Sequence, residues 1–224
     1  MQHRRFWRGA TLDELGARTG FLATLHLALR DYPHAAGRSR SISIDRAATL
    51  AGLDRLEEEI RRRPGTDPLD AVTLPRLAAR RAWLERQPAE SAVDEAVLSE
   101  QLIHGDYQEA NLFFAEGKVC AVIDWDQAYV ASRAWEVMRT LDLVFGLAPD
   151  RCCSFLTAYR AVQPLAPDDL DRAAVAYGLM RAYDLWLYNA YYLEGNERVG
   201  RFITPGGFVP IADIWSALRP AFAH

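Results

Sequence analysis

Lysine is nearly missing from this sequence: of 26 lysines and arginines, Lys118 is the single lysine. No two of the 14 glycines are separated by one residue, and no Gly-Lys-Ser/Thr run occurs. Both kinds of glycine-rich phosphate loop are therefore excluded from these residues. Cysteine is sparse as well. Cys120, Cys152 and Cys153 are odd in number and form no Cys-x-x-Cys pair, which argues against a disulfide framework and for a reduced, cytoplasmic setting. Adjacent Cys152 and Cys153 read as small apolar helix residues. No apolar run approaches the roughly 18 residues of a membrane span, and the arginine-containing start lacks a signal-peptide core. A formal charge of −4 supplies no basic field for nucleic acid. Neither a membrane nor a nucleic acid is expected as a partner.

What is present starts with enough apolar residues, 50% of 224, for one sizeable core. Its most informative stretch is His104-Gly105-Asp106-Tyr107-Gln108-Glu109-Ala110-Asn111, followed by Ile123-Asp124-Trp125-Asp126. Four fixed residues in H-G-D-x4-N arise by chance in about one in 10³ chains of this length, so the run carries information. Leu102 and Ile103 lead in as a short buried strand. Asn111-Leu112-Phe113-Phe114 is a second apolar run and Val119 to Trp125 a third, joined by the polar Ala115-Glu116-Gly117-Lys118. That pattern predicts a hairpin with Gly117 relieving its turn. The hairpin returns Asp124 beside Asn111, so two hard oxygen ligands meet at adjacent strand ends. Mg²⁺ favours so sparse a set, because it keeps waters and takes further ligands from phosphates. Asp106, five residues before Asn111, can aim its carboxylate at an acceptor while the amide faces the metal.

The segment resembles the catalytic loop and metal-binding strand of the aminoglycoside phosphotransferase, choline kinase and homoserine kinase type II group, small-molecule relatives of the protein kinases. The resemblance implies an ATP- and Mg²⁺-dependent kinase acting on an alcohol group. It implies Asp106 as catalytic base and Asn111 and Asp124 as magnesium ligands. Phe113 is expected to floor the adenine pocket. His104 orders the loop rather than reacting, and Glu136 stands where the relatives commonly place an aspartate that braces the loop. Asp126 fits the Asp-x-Asp of the small-molecule group; it either touches metal or phosphate or caps the following turn.

The same resemblance makes Lys118 informative. It sits in the hairpin turn, the wrong place for the strand lysine that holds the α- and β-phosphates in a complete kinase fold. Phe6-Trp7-Arg8-Gly9-Ala10-Thr11-Leu12 is similar to the hinge between the two kinase lobes. The expected fold is thus mainly α with a small β-hairpin (α+β): the carboxy-terminal lobe of a protein-kinase-like fold, without its amino-terminal β lobe. One domain is expected over 1–224, with a hinge remnant at 1–10 and a helical part at 11–100. The catalytic loop and metal strand occupy 101–126, and a helical acceptor side occupies 132–224. Such a chain would pair with a separate amino-terminal lobe or self-associate. The alternative is a catalytically inactive kinase-like module that binds or regulates.

Helix signals fill the rest. Thr11 and Glu14 form a capping box, and Leu12 to Leu29 mark a helix face reaching about Asp31, with His26 as a packed structural histidine. Leu50 to Ile60 mark a second helix, closed by Arg61-Arg62-Arg63 and Pro64-Gly65; a third runs from near Leu74 to Arg86. Residues 89–100 read as an acidic connector. Further helices are expected from Arg133 and over Asp150 to Val162. A long one opens at Pro167-Asp168-Asp169 and reaches about Glu194, and a last one covers Ile211 to Phe222. The long helix carries Tyr177, Tyr183, Asp184, Trp186, Tyr188, Tyr191 and Tyr192. Aromatics at helical spacing read first as core. Asp184 and Tyr188 are the positions expected to face a small hydroxyl-bearing acceptor, and one acid among aromatics suits an amino or quaternary ammonium alcohol.

Overall fold

A computed structural model describes residues 4–5, 12–33, 38–39, 42, 44–63, 67–88, 93, 97, 100–116 and 118–222. In chain order the elements are β1 (Arg4–Arg5), α1 (Leu12–Leu29), β2 (Arg38–Ser39), α2 (Arg46–Arg62), α3 (Asp70–Glu85) and β3 (Gln101–Ile103). They continue as β4 (Leu112–Ala115), β5 (Lys118–Val122), β6 (Tyr129–Ala131), α4 (Arg133–Leu143), α5 (Pro149–Arg160), α6 (Pro167–Tyr183), α7 (Trp186–Tyr188) and α8 (Ile211–Leu218). The architecture is mostly helical with small sheets, an α+β arrangement. Several sequence readings lie outside the described residues: the hinge-like run 6–11 with the Thr11 cap, the Pro64-Gly65 stop, most of the 89–100 connector, and Gly117.

The chain divides into two compact units. The first comprises residues 1–41, 94–177 and 214–224. In it, β1, β4 and β5 form one antiparallel sheet, with Phe113 opposite Ala121 and a register shift between Phe113 and Phe114. A second sheet has the order β2-β6-β3, with β6 antiparallel to β3 and parallel to β2. Helix α1 packs on α5, β3 and β5. Leu22, Ile103, Tyr107, Leu112, Trp135, Met138, Leu156 and Tyr177 are buried in this unit. Trp135 satisfies its indole by donating to the Tyr129 hydroxyl at 2.6 Å, the partner a buried indole needs. Ser132 caps α4 by accepting from Trp135 N at 3.1 Å, a role suited to a short hydroxyl side chain.

The second unit comprises residues 42–93 and 178–213. Helix α2 is capped by Asp45, which accepts from Ala48 N at 2.9 Å. Its apolar face, Leu53, Leu56 and Ile60, packs with Leu77 and Leu84 of α3 and with Tyr183, Leu185, Tyr188, Tyr192 and Ile203. Tyr192 donates to Thr73 at 2.9 Å and Tyr191 to Asp67 at 2.7 Å, so one buried and one half-buried phenol hold the segment after α7 to α3 and its approach.

Two expectations are corrected here. A single hairpin was expected, yet the described residues form two three-stranded sheets. Strands β2 and β6 are two and three residues long, and β2 lies in a polar stretch, so hydrogen-bond geometry rather than side-chain pattern defines them. The long aromatic helix does not run to Glu194: α6 stops at Tyr183. The Asp184 carboxylate accepts from Trp186 N at 2.8 Å, a local turn that competes with helical bonding. Leu185 leaves helical geometry at φ −104°, ψ 7°, and the chain resumes as α7 and a π-helical turn at Asn189–Leu193.

Candidate functional site

The loop between β3 and β4 is built around Gly105. Its φ is +79°, and an added Cβ would lie 2.1 Å from Gln127 O and 2.8 Å from the Tyr129 ring. Both the left-handed conformation and the close approach demand glycine. The turn is gripped from below by Glu136, completely buried in the first turn of α4. Its Oε1 accepts from Gly105 N at 2.6 Å, and its Oε2 accepts from His104 N at 3.1 Å. Oε2 also accepts from His26 Nε2 at 2.9 Å, and His26 Nδ1 meets the Tyr159 hydroxyl at 2.7 Å. Burial by itself raises the Glu136 carboxyl. The His26 hydrogen bond and charge, with smaller help from His104 and the Gly105 amide, outweigh it and hold the group below the usual carboxylate range.

This grip presents Asp106 on the other side of the turn, its side chain 18% exposed. Oδ2 accepts from Asn111 Nδ2 at 2.9 Å and Gln108 Nε2 at 2.7 Å. Oδ1 accepts from Arg139 Nη2 at 2.5 Å. A carboxylate offers about four lone-pair positions. Three are filled, so a hydroxyl would approach Oδ1. Asn111 Nδ2 also donates to Asp106 O at 2.9 Å; both neighbours are acceptors, so the amide nitrogen faces Asp106 and the amide oxygen is left for another partner.

His104 ties this loop to the strand end that carries Asp124. Its Nδ1 accepts from Asp106 N at 3.2 Å, which fixes the proton on Nε2, and Nε2 donates to Ile123 O at 3.0 Å. Ile123 N in turn donates to Asn111 O at 3.0 Å, so Asp124 follows the residue bonded to both His104 and Asn111. Asp124 is exposed and left-handed at φ 65°, ψ 64°, an uncommon state for a side-chain-bearing residue and a frequent mark of functional sites. Among the described residues no three His, Cys, Asp or Glu side chains gather as a metal cluster. A cation here would rest on the Asn111 amide oxygen and the Asp124 carboxylate, hard donors that fit Mg²⁺ when phosphates supply the rest. Asp126 lies exposed in the 3₁₀ turn at Trp125–Gln127, and Phe113 is half-buried on β4.

The model of the phosphotransferase enzyme family matches residues 2–186. The chain belongs to that family. Among solved structures it is similar to an aminoglycoside phosphotransferase from Alicyclobacillus acidocaldarius, at 16% identity and TM-score 0.55, over 95% of this chain and 65% of that one. It is also similar to spectinomycin phosphotransferase in complex with ADP and spectinomycin, at 15% identity and TM-score 0.55, over 96% of this chain and 68% of that one. At this identity the likeness speaks for the fold, and the chain spans about two thirds of these relatives' length. No curated protein matched the chain.

Within this phosphotransferase family member the loop and turn residues Asp106, Asn111, Asp124, His104 and Glu136 all fall in the first unit. Asp184 and Tyr188 fall in the second. Asp184 is half-buried, its Oδ1 engaged by Trp186 N and its Oδ2 3.7 Å from Arg181. Tyr188 is buried in that unit's core at 3% exposure, with the Arg80 guanidinium 5.6 Å from its ring centre. Sequence reasoning missed Arg139 and Gln108 as partners of Asp106. Their signal was spacing: Arg139 lies three residues beyond Glu136 on α4, hence on the same helical face, and Gln108 is inside the loop itself.

Proposed function

We propose that this chain carries the catalytic loop and metal-binding turn of an ATP- and Mg²⁺-dependent small-molecule O-phosphotransferase. The observation that carries the reading is the state of Asp106, a carboxylate held by Asn111, Gln108 and Arg139 with one lone pair of Oδ1 left for a hydroxyl. In the reaction the acceptor hydroxyl gives its proton to Asp106 as its oxygen bonds to the γ-phosphorus. The bond from that phosphorus to the β,γ-bridging oxygen breaks, and ADP leaves. Asn111 and Asp124 would hold Mg²⁺, which when bound neutralises charge on the nucleotide phosphates. His104 and Glu136 keep loop and turn in register, and Phe113 contributes to the adenine side. Asp126 lies two residues beyond Asp124, close enough along the chain to meet metal or phosphate.

The sequence holds no Gly-x-Gly and places its one lysine at the start of β5. The groups that clamp phosphate in kinases therefore come from outside these residues or are replaced. We place the activity in such a combined protein, as one half of a two-part machine, with ATP and a small alcohol as partners. The test is transfer of the labelled γ-phosphate to a panel of sugars and amino alcohols, with the chain joined to a relative's lysine-bearing lobe. Transfer is expected, and Asp106→Asn is expected to lower kcat by about 10²–10⁴-fold. Transfer that ignores Asp106→Asn would remove the assignment. A combined protein that binds Mg·ATP without transferring would instead favour the inactive binding module.

A further inference from the structure

The carboxylate that carries the Gly105 turn is backed by a histidine whose proton is placed from behind. His26 on α1 is completely buried, as are Glu136 on α4 and Tyr159 on α5. His26 Nε2 lies 2.9 Å from Glu136 Oε2, and its Nδ1 lies 2.7 Å from the Tyr159 hydroxyl. Gln101 Nε2 donates to His26 O at 2.9 Å, so β3, which leads into the loop, also fixes the histidine's backbone. All these residues belong to the first unit. A neutral imidazole carries one proton, on either nitrogen. A proton on Nδ1 would turn the Nε2 lone pair toward Glu136 Oε2, acceptor against acceptor, and the support would be lost.

Tyr159 decides between the two forms. Its hydroxyl has one proton and two acceptors in reach, His26 Nδ1 at 2.7 Å and Gln163 Oε1 at 3.3 Å. Gln163 Oε1 already accepts from Arg133 Nη1 at 2.5 Å, and Arg133 Nε pairs with Glu100 at 2.6 Å. When the imidazole is neutral the shorter contact takes the proton: Tyr159 donates to Nδ1, and the histidine's own proton stands on Nε2. When the imidazole is charged, Nδ1 donates to the Tyr159 oxygen and the hydroxyl proton turns to Gln163. Nε2 donates to Glu136 in both states. Burial raises the Tyr159 hydroxyl, against the lowering influence of Arg133, so the phenol keeps the proton on which this arrangement depends. The titratable and charged groups around the histidine are Glu136 from α4, Tyr159 from α5 and His104 from the loop, with Arg133 and Glu100 behind Tyr159.

We propose that Tyr159 is a positioning residue for the loop that presents Asp106: its hydroxyl keeps the His26 proton on Nε2, so that Glu136 holds Gly105 and His104 whatever the charge on the imidazole. A backing hydrogen bond fixes the tautomer of histidines in catalytic triads and metal sites; here the histidine acts on a carboxylate brace rather than on substrate. The loop's purpose rests on the phosphoryl-transfer reading, whereas the hydrogen-bond chain does not, so the two can fail separately.

The experiment is long-range proton–nitrogen NMR of the histidine rings in the 224-residue chain, with the His26 signals assigned by their disappearance in His26→Gln. Hydrogen exchange of the Gly105 amide is followed beside it, relative to Leu141, a buried residue within α4. Wherever the ring is neutral, the wild-type chain should show the Nε2–H tautomer alone. Tyr159→Phe keeps the ring and its packing but has no proton to give. The Nδ1–H form should then appear, and Gly105 should exchange about tenfold faster relative to Leu141, the loss of roughly one hydrogen bond. His26→Gln keeps an N–H donor for Glu136 and should leave Gly105 exchange within about threefold of wild type, while His26→Leu, with no donor, should speed it about tenfold or more. A wild-type ring in the Nδ1–H form, or a ring still wholly Nε2–H in Tyr159→Phe, would overturn the proposal. So would a mixed tautomer that leaves Gly105 exchange unchanged. Equal exchange in His26→Gln and His26→Leu would overturn it too, because bulk rather than a proton would then support the brace. Neither result bears on whether the loop transfers phosphate, which the labelled-phosphate assay with Asp106→Asn decides.

Discussion

Gly105 donates its N–H to Glu136 Oε1 across 2.6 Å, and this one bond joins the loop between β3 and β4 to the first turn of α4. The same carboxylate takes His104 N and His26 Nε2. Glu136 is therefore the post on which the loop is hung, and Asp106 inherits its position from that post.

Removing the charge should be costly. Glu136→Gln replaces one acceptor oxygen by a donor facing N–H groups, and leaves buried donors unpaired. The expected loss is about 2–4 kcal/mol of unfolding free energy, read by urea denaturation followed by tryptophan fluorescence. A change below about 0.5 kcal/mol would mean that the loop is held by its own hydrogen bonds instead.

Gly105→Ala and Gly146→Ala form a matched pair. Both glycines have positive φ, +79° and +57°, but only Gly105 has neighbours where a Cβ would go. Gly146→Ala should cost about 1 kcal/mol, the backbone penalty alone. Gly105→Ala should cost roughly 3 kcal/mol or more, because Gln127 O and the Tyr129 ring must move as well. Equal midpoints in denaturant would contradict the crowding described around the loop.

The pH dependence follows from the depressed Glu136 carboxyl. A group whose folded value lies below its unfolded value of about 4.5 contributes stability above that value, and the contribution fades as pH falls through the folded one. Unfolding free energy should accordingly drop as pH is lowered below about 4.5, and the drop should be shallower in Glu136→Gln. An identical acid limb in both proteins would show that Glu136 is not the group responsible.

How much of this was legible beforehand depended on the kind of signal. Asp106, Asn111 and Asp124 stand at fixed spacing on a loop and hairpin whose apolar runs are clear, so their positions follow from sequence. The helices α2 and α4 were legible from apolar periodicity. Strand β6 was not, because three residues with one partly buried position carry too little pattern. The break at Asp184 was hidden because Pro167 to Glu194 keeps helical composition, and a side-chain-to-backbone bond of one aspartate ended α6. Arg139 was legible only through its spacing from Glu136, because its contact with Asp106 joins residues 33 apart in the chain. The contact of His26 with Tyr159 was hidden, because it joins residues 133 apart.

Asp106 and Asp124 should separate cleanly by function. In the combined protein Asp124→Ala should raise the Mg²⁺ concentration needed for half-maximal transfer by at least about tenfold, since it removes a ligand rather than the proton acceptor. Asp106→Asn should leave that Mg²⁺ requirement in place while lowering kcat. A Mg²⁺ titration of the two variants checks this, and interchanged phenotypes would reassign the two carboxylates.

The most direct measurement is calorimetric titration of ADP into the 224-residue chain with and without Mg²⁺. The account predicts weak binding, in the range of about 0.1–10 mM without the phosphate-clamping lysine and loop. It predicts that Mg²⁺ tightens this binding, that Asp124→Ala abolishes the tightening, and that Asp106→Asn preserves it. ADP binding that is indifferent to Mg²⁺ and to Asp124→Ala would contradict the claim that this loop and turn form a metal-nucleotide site.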